Sequence, residues 1–323
     1  MTVRIVAPCR LHFGLLHVPI AGFEYWPDGR PVRKFGGLGV MIDGPNVMVE
    51  IGNRSGGNAY GRASAFLQAI ATQRPEYRER IERLSLWAES PSEHIGLGVG
   101  TALGMAVARA TFAALHVELP YRELAQLVGR GLRSGIGIHG FESGGFLFDE
   151  GKLHDDDLPT IRERLTLPAN WRIVLLPSQE SSTWHGDRER SAFHRHRSVS
   201  EVQATTERLH SLAAQVLTAL RANDFDAFSQ TISEFNRVAG EPFARDQGGT
   251  YASAAIGEVI QTVRDWGYVG VGQSSWGPTV FAFAQDDADA ERLYAKARSQ
   301  FAHLTEPIVT QANDTGASTL STR

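Results

Sequence analysis

Cysteine is nearly absent from this chain: Cys9 is the one thiol among 323 residues. That excludes an intramolecular disulfide framework and any thiolate-rich metal site, and it fits a reducing compartment. A small, buried, apolar role is expected for it. No apolar run is long enough to span a bilayer, and Arg4 and Arg10 break up the apolar residues at the start, so no secretory core forms there. A strong excess of one charge is also missing. The formal net charge of −4 offers neither nucleic acid nor an anionic membrane a complementary surface. The expectation is a cytoplasmic protein with no nucleic-acid and no membrane partner. No dense metal-ligand spacing occurs either: the run His154–Asp157 lies in a connector, where consecutive acids point in different directions and face water.

What is present is ordinary globular material, 42% hydrophobic and 21% charged, enough for two packed lobes. "VRIVAP" and "RLHFGLLHV" predict two short extended segments, and "LGVMIDGPNVMVEIG" predicts a hairpin pinched at Asp43, Gly44 and Pro45. Helices are expected over 60–72, after Pro75, after the glycines at 96–100 and from Pro120. The second half offers the strands "WRIVLLP", "YVGVGQ", "TVFAFA" and "EPIVTQ". Between them lie helical stretches near 200–221, 225–238, 252–266 and 289–299. Strands and helices do not alternate strictly, so the fold class is α+β. The connector "DDDLPTIRERLTLP" sets a boundary near 160, giving lobes over 1–160 and 161–312; 313–323, small and polar, is expected to be a disordered tail.

The stretch "HIGLGVGTALGMAVARA", 94–110, carries the chemistry. Gly96, Gly98 and Gly100 let backbone approach a ligand closely, and the helix that follows points free N–H groups and its positive dipole end at whatever sits there. Phosphate or pyrophosphate is the natural guest. A tight strand-to-helix turn capped by Thr101 explains the same glycines. No GK[ST] closes the turn and it is not a GxGxxG fingerprint.

Two further small-residue blocks keep it company, "RSGIGIHGFESGGF" and "GQSSWGPTV", and "RLHFGLL" places Arg10 and His12 beside the first strand. In this order, with "GGLGVMID", "GLGVGT" and "HGDRE", the blocks resemble the GHMP superfamily of small-molecule kinases. Within it they resemble a non-kinase branch, the β-ribofuranosylaminobenzene 5′-phosphate synthases. The likeness runs from about residue 4 to 285. It implies a ribosomal-protein-S5-like N-terminal lobe and a ferredoxin-like C-terminal lobe with the site between them. The implied reaction condenses 5-phosphoribosyl 1-pyrophosphate with 4-aminobenzoate, releasing CO2 and pyrophosphate, towards tetrahydromethanopterin, with Mg2+ on the diphosphate and a homodimer as the assembly. Many GHMP kinases carry an Asp after a Ser-Gly pair as base; here Ser134 and Gly135 are followed by Ile136, Gly137 and Ile138. A kinase could recruit Glu142 or Asp149 instead.

On this likeness Leu97, Gly98, Val99, Gly100 and Thr101 offer backbone donors to pyrophosphate, and Gly272, Gln273, Ser274 and Ser275 close the site from the second lobe. Arg10, Arg133 and Ser134 are candidates for phosphate or carboxylate. His185 and Arg188, in "HGDRERSAFHRHR", could reach the ribose 5-phosphate. Glu142 is a candidate for Mg2+ or for the acceptor's amino group, and His12 for a site residue or a satisfied core histidine. Trp276 walls an aromatic slot or belongs to the core. An ATP-dependent small-molecule kinase and a non-catalytic sensor of phosphoribosyl pyrophosphate are the alternatives.

Overall fold

The computed structural model describes residues 2–20, 22–52, 61–178, 198–301 and 305–322. The N-terminal sheet is built on two long strands, β1 (Thr2–His17) and β2 (Phe35–Gly52). Val3, Ile5 and Ala7 are buried while Arg4 is exposed, the period-two signature of a half-covered strand. The two short segments expected here are one strand, bent by register shifts at Pro8/Cys9 and at His12/Gly14. The expected hairpin is absent as well. Pro8 pairs with Asn46 and Cys9 with Ile42, so Asp43–Pro45 bulge out of a continuous β2. Turn residues at 43–45 produce a bulge here because β1 runs the whole length alongside and supplies the partner that a hairpin would have supplied locally.

β3 (Ser85–Glu89), β4 (Phe146–Asp149), β5 (Ile161–Leu165) and β10 (Ser318–Thr322) complete this antiparallel sheet in the order β10-β1-β2-β4-β5, with β3 also on β2. Two expectations are corrected. β5 at 161–165 still belongs to the first sheet, so the lobes part after it and not at 160. The stretch at 313–323 holds an ordered strand, in which Ser318–Thr322 pairs with Thr2–Val6. The open edge of β1 gives that polar segment backbone partners which its composition does not reveal.

α1 (Arg62–Gln73), α2 (Arg78–Glu82), α3 (Val99–Ala114), α4 (Tyr121–Leu127) and α5 (Ile136–Ser143) accompany the first sheet. α3 packs on β1 and β2 and is flanked by α1, α4 and α5. It is buried almost all round, from Ala102 to Phe112, which explains its Ala-rich, nearly uncharged sequence.

The second lobe holds β6 (Arg172–Leu176), β7 (Val271–Gln273), β8 (Val280–Ala284) and β9 (Ile308–Thr310) in the order β7-β8-β6-β9, all antiparallel. Its helices are α6 (Val199–Arg221), α7 (Phe225–Gly240), α8 (Ala244–Gln247), α9 (Ala254–Asp265) and α10 (Asp287–Gln300). This strand order, second-third-first-fourth, is the ferredoxin-like one. Asp224, Ser253 and Asp286 cap α7, α9 and α10 through their side chains. The two lobes share one core. Phe13 of β1 stacks with Phe146 of β4 and lies edge-on to Phe281 of β8 with centroids 5.0 Å apart, and Phe228 of α7 meets Phe283 at 4.9 Å. That shared aromatic core fixes the relative position of the lobes, and with it the cleft between them.

Candidate active site

The start of α3 forms one wall of a cleft of about 360 Å³. Gly98, left-handed at φ 70°, is the N-cap residue, and its carbonyl accepts from Thr101 N and Ala102 N at 2.9 and 3.2 Å. Thr101 is therefore the third helical residue and not the cap. No side chain caps this helix, and the N–H groups of Val99 and Gly100 find no partner among the described residues. They stand as open donors at the positive end of a 16-residue helix.

Two arginines cover the turn. A Cβ on Gly98 would lie 2.8 Å from Arg10 Cγ, and one on Gly100 would lie 3.0 Å from an Arg62 guanidinium nitrogen. The glycines thus make room for cations as well as for a ligand. Arg10 Nη1 donates to Gly96 O at 2.9 Å, and its backbone N–H to Leu97 O at 2.9 Å. Arg62 is ion-paired with Glu93.

The C-terminal glycine block meets this turn backbone to backbone. Ser274 Oγ donates to Gly96 O at 2.9 Å and accepts from His12 N at 3.1 Å, while Ser275 N donates to His12 O at 2.8 Å. The bulge at His12/Gly14 turns His12 N–H away from β2 and towards this loop. Asn236 ties the same strands together. Its Nδ2 donates to Phe13 O and Gln273 O at 2.7 and 2.8 Å, and its Oδ1 accepts from Gln273 N at 2.9 Å.

His12 is buried, and its Nδ1 accepts from Gly14 N at 3.2 Å, so the ring proton is assigned to Nε2, which has no partner among the described residues. Burial, with Arg10 adding to it, pushes the imidazole down to about 3, so it is neutral and a poor base. Asp149 is fully buried beneath the cleft. It accepts from Gly135 N and Gly151 N at 2.6 and 2.8 Å and from Ser134 Oγ at 3.3 Å, and burial raises its carboxyl to about 6. It anchors the loop that carries Arg133. Cys9 is buried and its thiol is pushed up to about 12, away from reactivity.

Of the residues singled out from sequence, Arg10, His12, Gly98, Val99, Gly100, Thr101, Arg133, Ser134, Gln273 and Ser275 line one cleft. Leu97, Gly272 and Ser274 support it from behind. Leu97 is buried and offers its carbonyl to Arg10. A Cβ on Gly272 would lie 2.2 Å from Asn236 Oδ1, so this glycine makes room for the asparagine and holds no phosphate. Ser274 is the clasp between the lobes. Glu142 is not brought to the cleft: it lies outside the lining and pairs with Arg109, whose guanidinium covers the Phe141 ring at 4.5 Å. Glu142→Gln is accordingly expected to leave turnover unchanged in a steady-state assay and to shift stability by no more than about 1 kcal/mol, as for a largely solvated ion pair. His185 and Arg188 lie outside the described residues.

Sequence reasoning missed Arg62, Glu93, Arg130, Phe243 and Tyr251, which also line the cleft. Arg62 sits in a helix of ordinary amphipathic pattern, and Phe243 in a stretch with no glycine signature; nothing local marks either one. Trp276 lines the cleft, half-buried, and meets Phe243 edge-on at 4.6 Å.

The paired lobes, the uncapped helix behind a glycine turn and the clasp from the second lobe make an α+β fold that resembles that of the GHMP kinases. The profile of the GHMP kinases C terminal family matches residues 216–303. Homoserine kinase from Cytophaga hutchinsonii superposes with a TM-score of 0.68 at 14% identity, covering 99% of this chain and 97% of the kinase; that likeness is one of fold. Over nearly its full length the chain is similar to the β-ribofuranosylphenol 5′-phosphate synthases. It is 27% identical to that of Methanothermobacter thermautotrophicus, over 88% of this chain and 90% of the relative, and 26% identical to that of Archaeoglobus fulgidus, over 97% and 98%. Among the described residues no helix is long and apolar enough to cross a membrane.

Proposed function

We propose that this chain is a C-ribosyltransferase that joins 5-phosphoribosyl 1-pyrophosphate to a para-substituted benzoate with loss of CO2 and pyrophosphate. One observation carries the choice against a kinase. Glu93 is the only carboxylate among the described cleft-lining residues, and it is paired with Arg62. Both substitute bases open to a kinase are out of reach: Glu142 is bound to Arg109 outside the cleft, and Asp149 is buried under three donors. A kinase gains from a base that takes the hydroxyl proton; this transfer has no such proton to move.

The bond changes explain why. The anomeric C–O bond breaks, and the developing charge on the departing diphosphate is met by the Val99 and Gly100 N–H groups and by Arg10. The ring carbon bearing the carboxylate, made electron-rich by the para substituent, attacks the oxocarbenium-like carbon. The C–CO2 bond then breaks and its electron pair restores the aromatic ring, so no proton is removed before attack. The cleft therefore contributes positioning and a fixed field. Trp276 and Phe243 are the aromatic surfaces available to the acceptor. The relatives are named for a phenol product, the family that the residue blocks resemble is named for an aminobenzene one, and no single residue reads the para substituent. Either substituent donates electrons to the ring, so 4-aminobenzoate and 4-hydroxybenzoate both suit the step.

Mg2+ belongs to this reading as the partner of the diphosphate. Among the described residues no group of three or more His, Cys, Asp or Glu is arranged to hold a metal, so its ligands would be phosphate oxygens and water, with Glu93 at most. The chemistry it supplies there is charge neutralisation on the leaving group. Carboxyl-labelled 4-aminobenzoate and 4-hydroxybenzoate, each incubated with phosphoribosyl pyrophosphate and Mg2+, should release labelled CO2 and pyrophosphate in equal amounts without ATP. No release from either acid, or a requirement for ATP, overturns the proposal.

A further inference from the structure

Three arginines gather on the cleft wall beside the diphosphate cradle, with a single acid among them. Arg130 sits in a tight turn between Gly129 and Gly131, whose φ angles of 62° and 80° fall in the left-handed region. Its guanidinium lies 5.0 Å from the Phe66 ring centre, with Arg62 5.7 Å over the same ring. Arg62 already has Glu93. The Nε of Arg130 is buried and has no hydrogen-bond partner among the described residues. Burial, then the charges of Arg62 and Arg133, push the Arg130 guanidinium down to about 10. Close like charges cost free energy, and an anion bound among them offsets that cost.

We propose that Arg130, with Arg62 and Arg133 beside it, forms a phosphomonoester pocket that takes the 5-phosphate of the sugar donor, next to the cradle for its diphosphate. The inference rests on the donor proposed above. Three guanidinium groups match a phosphate dianion in charge and in planar donor geometry. The acceptor's carboxylate is the wrong guest: clustered cations would stabilise it as a carboxylate in the ground state and so oppose loss of CO2. The pocket is also built to stay in place. Asp149 holds Ser134 and Gly135 at one end of the loop, and a Cβ on Gly131 would strike Ile138 Cδ1 at 2.7 Å.

Calorimetric titration of the full chain with ribose 5-phosphate and, separately, with inorganic pyrophosphate tests the pocket. Arg130→Gln should weaken ribose 5-phosphate by about 10–100-fold and pyrophosphate by less than about 3-fold, and Arg130→Lys should restore part of the loss. Ribose 5-phosphate should raise the melting temperature of the unmodified protein and not that of Arg130→Gln. If that variant does not fold, Arg133→Gln is held to the same pattern. Unchanged ribose 5-phosphate affinity, equal weakening of both ligands, or a loss confined to 4-aminobenzoate or 4-hydroxybenzoate overturns the pocket. The pocket and the reaction can fail separately. Ribose 5-phosphate bound through Arg130 without CO2 release keeps the pocket and overturns the transfer; CO2 release with unaltered affinity in Arg130→Gln does the reverse.

Discussion

Gly277→Ala is expected to lower kcat/KM by on the order of 100-fold or more, because one methyl group would push the two glycine blocks apart. A Cβ at this position would lie 2.1 Å from Gly96 N, 2.3 Å from Gly96 Cα and 2.3 Å from Ile95 C. All three are backbone atoms, so no rotamer change relieves the contact. The reciprocal approach is as close: a Cβ on Gly96 would lie 2.3 Å from Ser274 O. The loop must therefore retreat, and with it go the Ser274–Gly96 and Ser275–His12 hydrogen bonds that hold the second lobe on the glycine turn before α3. Steady-state kinetics read the effect, with Gly249→Ala as the control. Gly249 has open space around it and no left-handed φ, so its variant should match the unmodified protein. Equal activity in Gly277→Ala would mean that lobe docking does not set the cradle.

Phe228→Ala should cost about 3–5 kcal/mol in urea denaturation, the range for emptying a large aromatic site in a packed core. Phe228 is fully buried and touches rings from both lobes, Phe146 on one side and Phe283 and Trp171 on the other, the last two with centroids 4.9 and 5.0 Å away. Because the aromatic core is continuous, the loss should appear as an earlier single transition with both lobes unfolding together. Two separate transitions, only the second-lobe one shifted, would show that the lobes fold independently.

Much of the fold was legible in the residues because its signals are local. The Ala-rich run after Gly98 reads as a helix, the stretches near 225–238 and 289–299 as helices, and "TVFAFA" as a strand. The errors fall where a distant partner decides. Asp43–Pro45 have turn chemistry, yet β1 holds the chain straight and turns them into a bulge. Residues 318–322 are polar, yet the edge of β1 pairs them. At the cleft, glycine blocks mark close backbone approach but do not say to what. Gly98 and Gly100 face arginines and the ligand space, whereas Gly272 faces Asn236 and Gly277 faces Gly96.

By itself the sequence determined that this is a two-lobed α+β chain with a glycine turn opening a helix and without a Ser-Gly-Asp base, since backbone conformation, periodicity and the absence of a residue type are properties of short segments. Only the tertiary structure decided which charges share the cleft. Arg10, Arg62, Arg130 and Arg133 stand up to 123 positions apart in the chain and meet because packing brings β1, α1 and the 129–134 loop to the start of α3. It also removed Glu142 to a surface pair with Arg109. Long-range electrostatics depends on distances that no local pattern encodes, and for that reason Arg62 and Arg130 went unread until the chain was folded, although Arg10 and Arg133 stood out in the sequence.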